Sequence, residues 1–239
     1  MLLKVKPSEL LGCVSDLPRW VETRSLLLNG RCTVYGKNRV DFVVRSLLEP
    51  LLCVVGKPAQ TALLAAITAS PADVTILAAP ESCAWVQSVL PEWECKRAVL
   101  HQMPQPEKAT EVEVADVRFC QRNDILAIPV PERELQDELL QALEFTDIAA
   151  AFVAGQAVSF CYAGAETERL WDVAIDTLMD FRRQGYAEMC FRFLLHQKLL
   201  QNKLPVWGAE FDNLASQRLA RKLGFLLVDR LFLFRAASA

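Results

Sequence analysis

The sequence predicts an α/β fold, in the broad sense that includes α+β, divided into two domains. Three observations support this prediction. Strand-like and helix-like patterns alternate over the first hundred residues, as in a layered α/β unit. A polar, proline-containing stretch at 104–113 is typical of a linker. Beyond it the patterns follow the order helix, three strands, helix, strand, helix, strand. We therefore predict domains at 1–105 and 114–239.

The elements of the first domain follow from apolar periodicity and from the positions of proline. Residues 7–29 are expected to be helical with a break near Pro18. A second helix is expected at 57–70, with Pro58 in its first turn. Alternating or continuous apolar residues predict the remaining elements. These are strands at 32–36, 39–47, 51–56, 73–79 and 94–103, and a helix at 80–90.

The second domain opens with a strongly amphipathic segment at 132–145, which predicts a helix. Residues 148–164 contain two strand-like runs joined at Gly155-Gln156, as in a hairpin. The last helix of the domain is expected to stop at Gly224. The remaining segments are a strand at 168–178, a helix from 186 to about 202, a strand at 205–210, a helix at 212–225 and a strand at 226–234.

Composition excludes several classes of protein. The 239 residues carry 26 basic and 29 acidic side chains, whereas a nucleic-acid-binding surface is usually basic. No apolar run approaches the roughly 20 residues of a membrane span, and the first residues lack the apolar core of a signal peptide. The eight cysteines form no C-x-x-C pair and only two histidines are present, so no metal site is predicted. We expect a cytoplasmic protein without nucleic-acid or membrane partners.

The stretch "DFRRQGYAEMCFRF" at 180–193 is the strongest candidate for a binding site. A predicted strand runs into a glycine-containing loop and then into a helix, so several backbone N–H groups point at one spot. Gly185 and the small Ala187 allow a ligand to approach the backbone, while Arg182 and Arg183 add positive charge. Such a loop favours an anion, usually phosphate. Taken alone, it is also compatible with an ordinary strand–helix turn that carries a solvated arginine pair.

The segment "DTLMDFRRQGYA", followed by "PVWGAEFDNLASQRLARKLGF", resembles the GCN5-related N-acetyltransferase (GNAT) superfamily. In that family a signature R/Q-x-x-G-x-G/A follows the fourth strand and binds the pyrophosphate of acetyl-CoA. Arg182, Gly185 and Ala187 match it. A later Asn-x-x-Ser/Ala, followed by "KLGF", matches Asn213 and Ser216. The resemblance spans roughly 144–234.

This resemblance implies a mixed, mostly antiparallel sheet flanked by helices, preceded by a smaller α/β domain. The smaller domain would be either a degenerate copy of the same fold or a separate cap that shapes the acceptor site. The resemblance also implies that the fourth and fifth strands separate and hold the pantetheine arm of acetyl-CoA. The implied cofactor-binding residues are Val173, Ile175, Thr177, Arg182, Arg183, Gln184, Gly185, Tyr186, Ala187, Asn213 and Ser216.

The sequence departs from the family pattern at three positions. Met179 stands where many relatives have proline, and Ala220 stands where many have a tyrosine that protonates the leaving thiolate. Trp171 occupies the place of a catalytic glutamate found in some relatives. Trp171 and Trp207 are either core residues or part of an acceptor pocket.

The candidate catalytic residues are Asp176, Glu210 and Ser216. Asp176, beside the loop, and Glu210, at the end of "PVWGAE", are candidate bases, and Ser216 could take the role of the missing tyrosine. Strand alternation places Asp172 on the same face as Asp176. The two carboxylates are either a base and its partner or ordinary polar positions.

The function implied by the resemblance is transfer of an acetyl group from acetyl-CoA directly to an amine. The expected acceptor is a small molecule. The missing tyrosine at position 220 favours an alternative, a non-catalytic acyl-CoA-binding or regulatory module on the same fold. A third possibility is an unrelated α/β protein that binds another phosphorylated ligand. Neither the acceptor nor the oligomeric state can be read from the sequence.

Overall fold

The computed structural model describes residues 6–104, 116–129 and 132–237. Its described strands form one eleven-stranded sheet in the order β1-β2-β3-β4-β11-β5-β10-β9-β8-β7-β6. The strands are β1 Cys32–Gly36, β2 Phe42–Ser46, β3 Leu51–Val55, β4 Thr75–Ala78, β5 Trp93–Gln102, β6 Val117–Phe119, β7 Ala149–Val153, β8 Gln156–Glu166, β9 Leu170–Thr177, β10 Leu204–Glu210 and β11 Leu226–Ala236.

Helices cover both faces of this sheet. Two short 3-10 helices, Pro7–Cys13 and Pro18–Trp20, precede the first α-helix, so the predicted break near Pro18 is confirmed. The short strand β6 and the short helix at Arg122–Leu126 were not predicted from the sequence. The α-helices are α1 Val21–Asn29, α2 Gln60–Thr68, α3 Pro80–Val89, α4 Arg122–Leu126, α5 Arg133–Ala142, α6 Tyr186–Leu200 and α7 Leu214–Lys222.

The sheet is mixed and mostly antiparallel, as the family resemblance implied for the C-terminal domain. Only the β3–β4 and β9–β10 pairs are parallel among the described strands. β5 lies between β10 and β11 and is antiparallel to both. A strand of the N-terminal half (residues 6–104) thus completes the sheet of the C-terminal half (116–237). Residues 105–113 of the expected linker lie outside the described residues.

Aromatic packing fixes α6 and α7 against one face of the sheet. The Phe191 ring of α6 lies 6.2 Å from the Trp171 ring, 6.1 Å from the Trp207 ring and 5.5 Å from the Phe225 ring. All four residues are buried. Burying a side chain of this size contributes roughly 2–3 kcal/mol, so the cluster anchors both helices to β9 and β10.

The N-terminal half covers part of the opposite face. α1 packs against β8 and β9, and Val21 at its start contacts Leu170 and Val206. The Gln141 Nε2 of α5 donates a hydrogen bond of 3.0 Å to the Leu48 carbonyl in the β2–β3 loop. We call the space between α1, this loop and α5, over β8 and β9, the cleft. None of the described helices combines the length and the hydropathy that a membrane-spanning helix requires.

Candidate active site

The two parallel strands β9 and β10 separate partway along their length. Their register pairs Leu204 with Leu170 and ends at Val206 with Asp172. Beyond that point β9 continues to pair with β8, and β10 continues to pair with β5. The facing edges of residues 173–177 and 207–210 are consequently left without each other as partners. We call this opening the fork.

The predicted anion loop lies directly above the fork. A 3-10 turn at Met179–Phe181 follows β9, and Gly185 caps the N-terminus of α6. Gly185 has a φ of +91°, a conformation that strains residues with a side chain, and a Cβ built there would meet nothing within 4 Å. The first bond of α6 runs from the Met189 N–H to the Gly185 carbonyl. The preceding N–H groups of the first turn therefore point out of the helix towards open space.

Charges around the loop favour an anion. Arg182 and Arg183 are exposed, and the Arg182 Nε donates a hydrogen bond of 3.0 Å to the Thr177 carbonyl. Glu188 in the first turn of α6 would repel an anion, but Lys222 at 2.6 Å and Arg192 at 2.9 Å neutralise it. Hydrogen bonding to Lys222 and Arg192 lowers the pKa of Glu188.

The other predicted cofactor residues surround the same opening. Gln184 is exposed and donates to the Asp180 carbonyl at 3.1 Å. The Tyr186 ring lies edge-on to Phe181, with 6.4 Å between centroids. Ala187 is half-buried. Val173 and Ile175 direct their side chains into the core beneath α6, so their backbone groups are what they offer to the fork.

The second motif joins α7 to β10. Asn213 caps α7 and accepts the Ser216 N–H at 3.1 Å. The Ser216 Oγ accepts a hydrogen bond of 2.8 Å from the Trp207 Nε1. The Ser216 hydroxyl proton is not used in that bond.

Asp172 lies at the point where the fork opens. Burial raises the pKa of Asp172 to about 6, against an ordinary value of 3.8, although the nearby backbone N–H groups of Gly208 on β10 and of Val173 on its own strand lower it. A carboxylate with this pKa is ionised at neutral pH and can still accept a proton readily.

Glu22 of α1 faces Asp172 across the cleft and was missed by the sequence analysis. Burial and the neighbouring Asp172 raise the pKa of Glu22 to about 8. The Glu22 Oε2 is buried and has no hydrogen-bond partner among the residues that the structure describes. Nothing in the local sequence distinguishes this glutamate, because its role depends on where α1 packs.

The predicted catalytic carboxylates fall in different surroundings. Asp176 lies on the cleft face, and burial and the nearby Glu138 raise its pKa. The Glu210 carboxylate is held by Arg235 at 2.7 Å and lies 3.8 Å from Lys96. Asp176 forms no close ion pair with the residues that the structure describes, whereas basic side chains of β11 and β5 neutralise Glu210.

The positions that depart from the family pattern differ in their burial. Ala220 is fully buried and its carbonyl accepts the Phe225 N–H at 3.0 Å. Trp171 and Trp207 are buried in the aromatic cluster under α6. Met179 is 69% exposed beside the loop. Position 220 therefore does not present a side chain to the fork.

An open fork below a glycine-capped helix N-terminus is suited to an extended ligand that carries phosphate. Residues 149–233 match the family model described as GNAT acetyltransferase. This match confirms, for the C-terminal part of the chain, the resemblance to the GNAT superfamily drawn from the two sequence motifs.

Solved structures with the same fold extend over almost the whole chain. A GCN5-related N-acetyltransferase-like protein from Streptococcus suis 89/1591 is 18% identical, with 95% of this chain and 96% of that one covered and a TM-score of 0.67. A GNAT-family acetyltransferase from Colwellia psychrerythraea is 15% identical, with 96% and 94% covered and a TM-score of 0.60.

A tandem GNAT protein from the clavulanic acid biosynthesis pathway is 8% identical, with 87% and 80% covered and a TM-score of 0.55. At such low sequence identities, the structural similarity shows that the fold is shared. No curated protein sequence matches the chain significantly.

Proposed function

We propose that the protein is an N-acetyltransferase that moves the acetyl group of acetyl-CoA to a small amine. The fork between β9 and β10, which opens below the N-terminus of α6, is the observation that supports this function most strongly. It combines an unpaired strand edge with an anion loop, and acetyl-CoA is a long polar chain that ends in phosphates. The family match over residues 149–233 supports the same reaction class.

In this proposal the backbone of Val173, Ile175 and Thr177 binds the pantetheine arm. The first-turn N–H groups of α6 hold the pyrophosphate, with Arg182 and Arg183 beside them. One backbone N–H of the β9 edge polarises the thioester carbonyl, a contribution of about 3 kcal/mol per donor in comparable sites.

The acceptor amine attacks the thioester directly and needs a base. We assign this role to Asp172, because it lies at the opening of the fork with a pKa of about 6. Asp176, four residues further along the same face of β9, is the second candidate. Glu210 is a poor base because Arg235 holds its carboxylate. Ser216 can donate its free proton to the departing thiolate, which suits a site without a tyrosine at position 220.

We further propose that the division at 1–105 and 114–239 separates two roles. The C-terminal part carries the acetyl-CoA fork, and the N-terminal part supplies α1 as a wall of the acceptor cleft. The tandem arrangement named for one structural relative is compatible with this division.

The test is titration calorimetry of acetyl-CoA and free CoA into the native protein and into Gly185→Asp. The added carboxylate would lie at the anion loop and repel the pyrophosphate. We expect micromolar binding to the native protein, about -8 kcal/mol, and at least a thirtyfold weaker affinity for the variant. Failure of the native protein to bind either ligand would contradict the proposal.

A matched control separates charge at the loop from backbone strain. Gly224 has a φ of +92°, and a Cβ built there also meets nothing within 4 Å. Gly224→Asp therefore carries the same substitution and similar strain at the end of α7. It should bind acetyl-CoA with native affinity. Equal loss in both variants would mean that the Gly185 effect comes from misfolding.

The non-catalytic alternative keeps support from the buried Ala220, since no tyrosine is available to protonate the thiolate. Release of free CoA in the presence of a broad amine panel separates the two functions. Turnover with any amine supports the enzyme. Tight acetyl-CoA binding without turnover on the whole panel supports the binding module.

A further inference from the structure

The cleft opposite α6 has an open floor around Asp172. Gly164 of β8 and Gly208 of β10 lie on either side of this residue, and both glycines are solvent-accessible. A Cβ built on Gly164 would lie 3.6 Å from the Asp172 Oδ2, and one on Gly208 would lie 3.9 Å from the Oδ1. The absence of these side chains leaves room for a ligand group directly beside the Asp172 carboxylate.

Carboxylates from several elements converge on this space. We call it the acidic cleft, and it comprises Glu22 of α1, Glu49 of the β2–β3 loop, Glu138 of α5, and Asp172 and Asp176 of β9. Electrostatic repulsion links them in pairs: Glu22 with Asp172, Glu49 with Glu138, and Asp176 with Glu138. Glu138 also accepts the hydroxyl of the buried Tyr162.

Among the described residues, the charged groups that shift the pKa values of Glu22, Glu49, Asp172 and Asp176 are acidic except for Arg182, which acts on Asp176. Two arginines that flank Glu22 in sequence are engaged elsewhere: Arg19 pairs with Asp229 at 2.6 Å, and Arg24 pairs with Glu168 at 2.7 Å. Among the described residues, the buried Oε2 of Glu22 has no hydrogen-bond partner, and Glu22 is electrostatically coupled to Asp172. With a pKa of about 8 this carboxyl group holds a proton at neutral pH, so it presents a hydrogen-bonding group beside Asp172 that a polar ligand can satisfy.

The arrangement also indicates what kind of cation fits. Throughout the described part of the chain, no three His, Cys, Asp or Glu side chains are placed to hold one metal ion. The carboxylates instead line the cleft from the fork, at Asp172, to the β2–β3 loop and α5, at Glu49 and Glu138. Separated negative charges of this kind complement an organic ligand with positive charges at both ends.

We propose that the acceptor is a small amine that carries a second positive charge, such as a linear diamine. This inference rests on the proposed acetyltransferase function and specifies its acceptor. One amine of the ligand lies beside Asp172, gives up a proton and forms the amide bond as the thiolate of CoA leaves. The other remains an ammonium group and is held by Glu49 and Glu138.

The first test compares α,ω-diamines of three to eight carbons with monoamines of the same length. Calorimetry on the native full chain, with and without saturating free CoA, measures binding independently of turnover. We expect the best diamine to bind at least tenfold more tightly than its matched monoamine, with binding that weakens as salt rises. Equal affinity for the two series, or no binding of any diamine, would overturn the proposal.

Variants locate the second charge. Glu49→Gln and Glu138→Gln should each weaken diamine binding about tenfold and leave monoamine binding within twofold, because the second ion pair is lost. Glu92→Gln, on the exposed turn before β5, is the control and should match the native protein. Unchanged diamine binding in both cleft variants would also overturn the proposal.

The outcomes separate this inference from the function on which it rests. Acetyl-CoA binding with no preference for diamines would refute the acceptor class and leave the acetyltransferase standing. Selective diamine binding without acetyl-CoA binding would support the acidic cleft as a cation site and refute the acetyltransferase.

Discussion

Replacing Glu22 with glutamine is expected to stabilise the protein, by an amount that grows as the pH rises. The pKa of Glu22 is about 8 in the folded chain, above its ordinary value of 4.5. Between these two values the folded state holds a proton that the unfolded state has released. The unfolded state thus binds fewer protons, and the free energy of unfolding falls as the pH rises through this window. Glutamine cannot ionise, so Glu22→Gln removes this loss.

The size of the gain follows from the same two values. A pKa raised from 4.5 to about 8 corresponds to an upper limit of about 5 kcal/mol at pH 9. We expect a gain below this limit for two reasons. The amide of the introduced glutamine also lacks hydrogen-bond partners in the cleft, and the titration of Glu22 is coupled to that of Asp172. We expect Glu22→Gln to add about 2–3 kcal/mol at pH 9 and less than about 1 kcal/mol at pH 5.

Urea denaturation at pH 5, 6, 7, 8 and 9 measures this gain, with Glu92→Gln as the exposed control. The control should follow the native protein at every pH. A gain for Glu22→Gln that is the same at pH 5 and pH 9 would refute the reasoning. A native protein whose stability rises between pH 5 and 8 relative to that of Glu22→Gln would do so as well.

Two further predictions concern the reaction. In Asp172→Asn, kcat/KM with the best acceptor should fall about a hundredfold and lose the limb that rises through pH 6, while acetyl-CoA affinity stays within threefold. A pH–rate profile of the variant that keeps this limb would assign the base elsewhere, with Asp176 next in line. Ala220→Tyr should not restore a proton donor, because position 220 is fully buried; urea denaturation should show a loss of at least about 1–3 kcal/mol, and turnover should not rise. A stable and faster Ala220→Tyr enzyme would mean that this position faces the fork.

Local sequence patterns were sufficient for most of the fold. Strands such as "LLCVV" and helices such as "ERELQDELLQALEF" carry strong periodicity, and each is found near its expected bounds. β6 and α4 were missed because they have three and five residues, too few for a periodic pattern. The pairing of β5 with β10 and β11 was also missed. These strands are far apart in sequence, and the local hydrophobic pattern of a strand does not indicate which distant strand it pairs with.

The candidate site was likewise predicted only in part from the sequence. The anion loop was readable, because a glycine at a strand–helix junction is a local signal, and Gly185 does have the positive φ that such a loop requires. The state of the carboxylates was not readable. Glu210 is neutralised by Arg235 from a strand 25 residues later, and Glu22 meets Asp172 only because α1 packs on β9. Charge partners set by tertiary packing decide which carboxylate can act.

In the proposed enzyme, acetyl-CoA occupies the fork between β9 and β10. Hydrogen–deuterium exchange of the full chain, with and without acetyl-CoA, tests this placement. We expect slower exchange in peptides that contain residues 173–177 and 185–188, where strand-edge and helix N-terminal N–H groups would bind the ligand. Unchanged exchange in both segments at saturating acetyl-CoA, or protection confined to the N-terminal half, would contradict it.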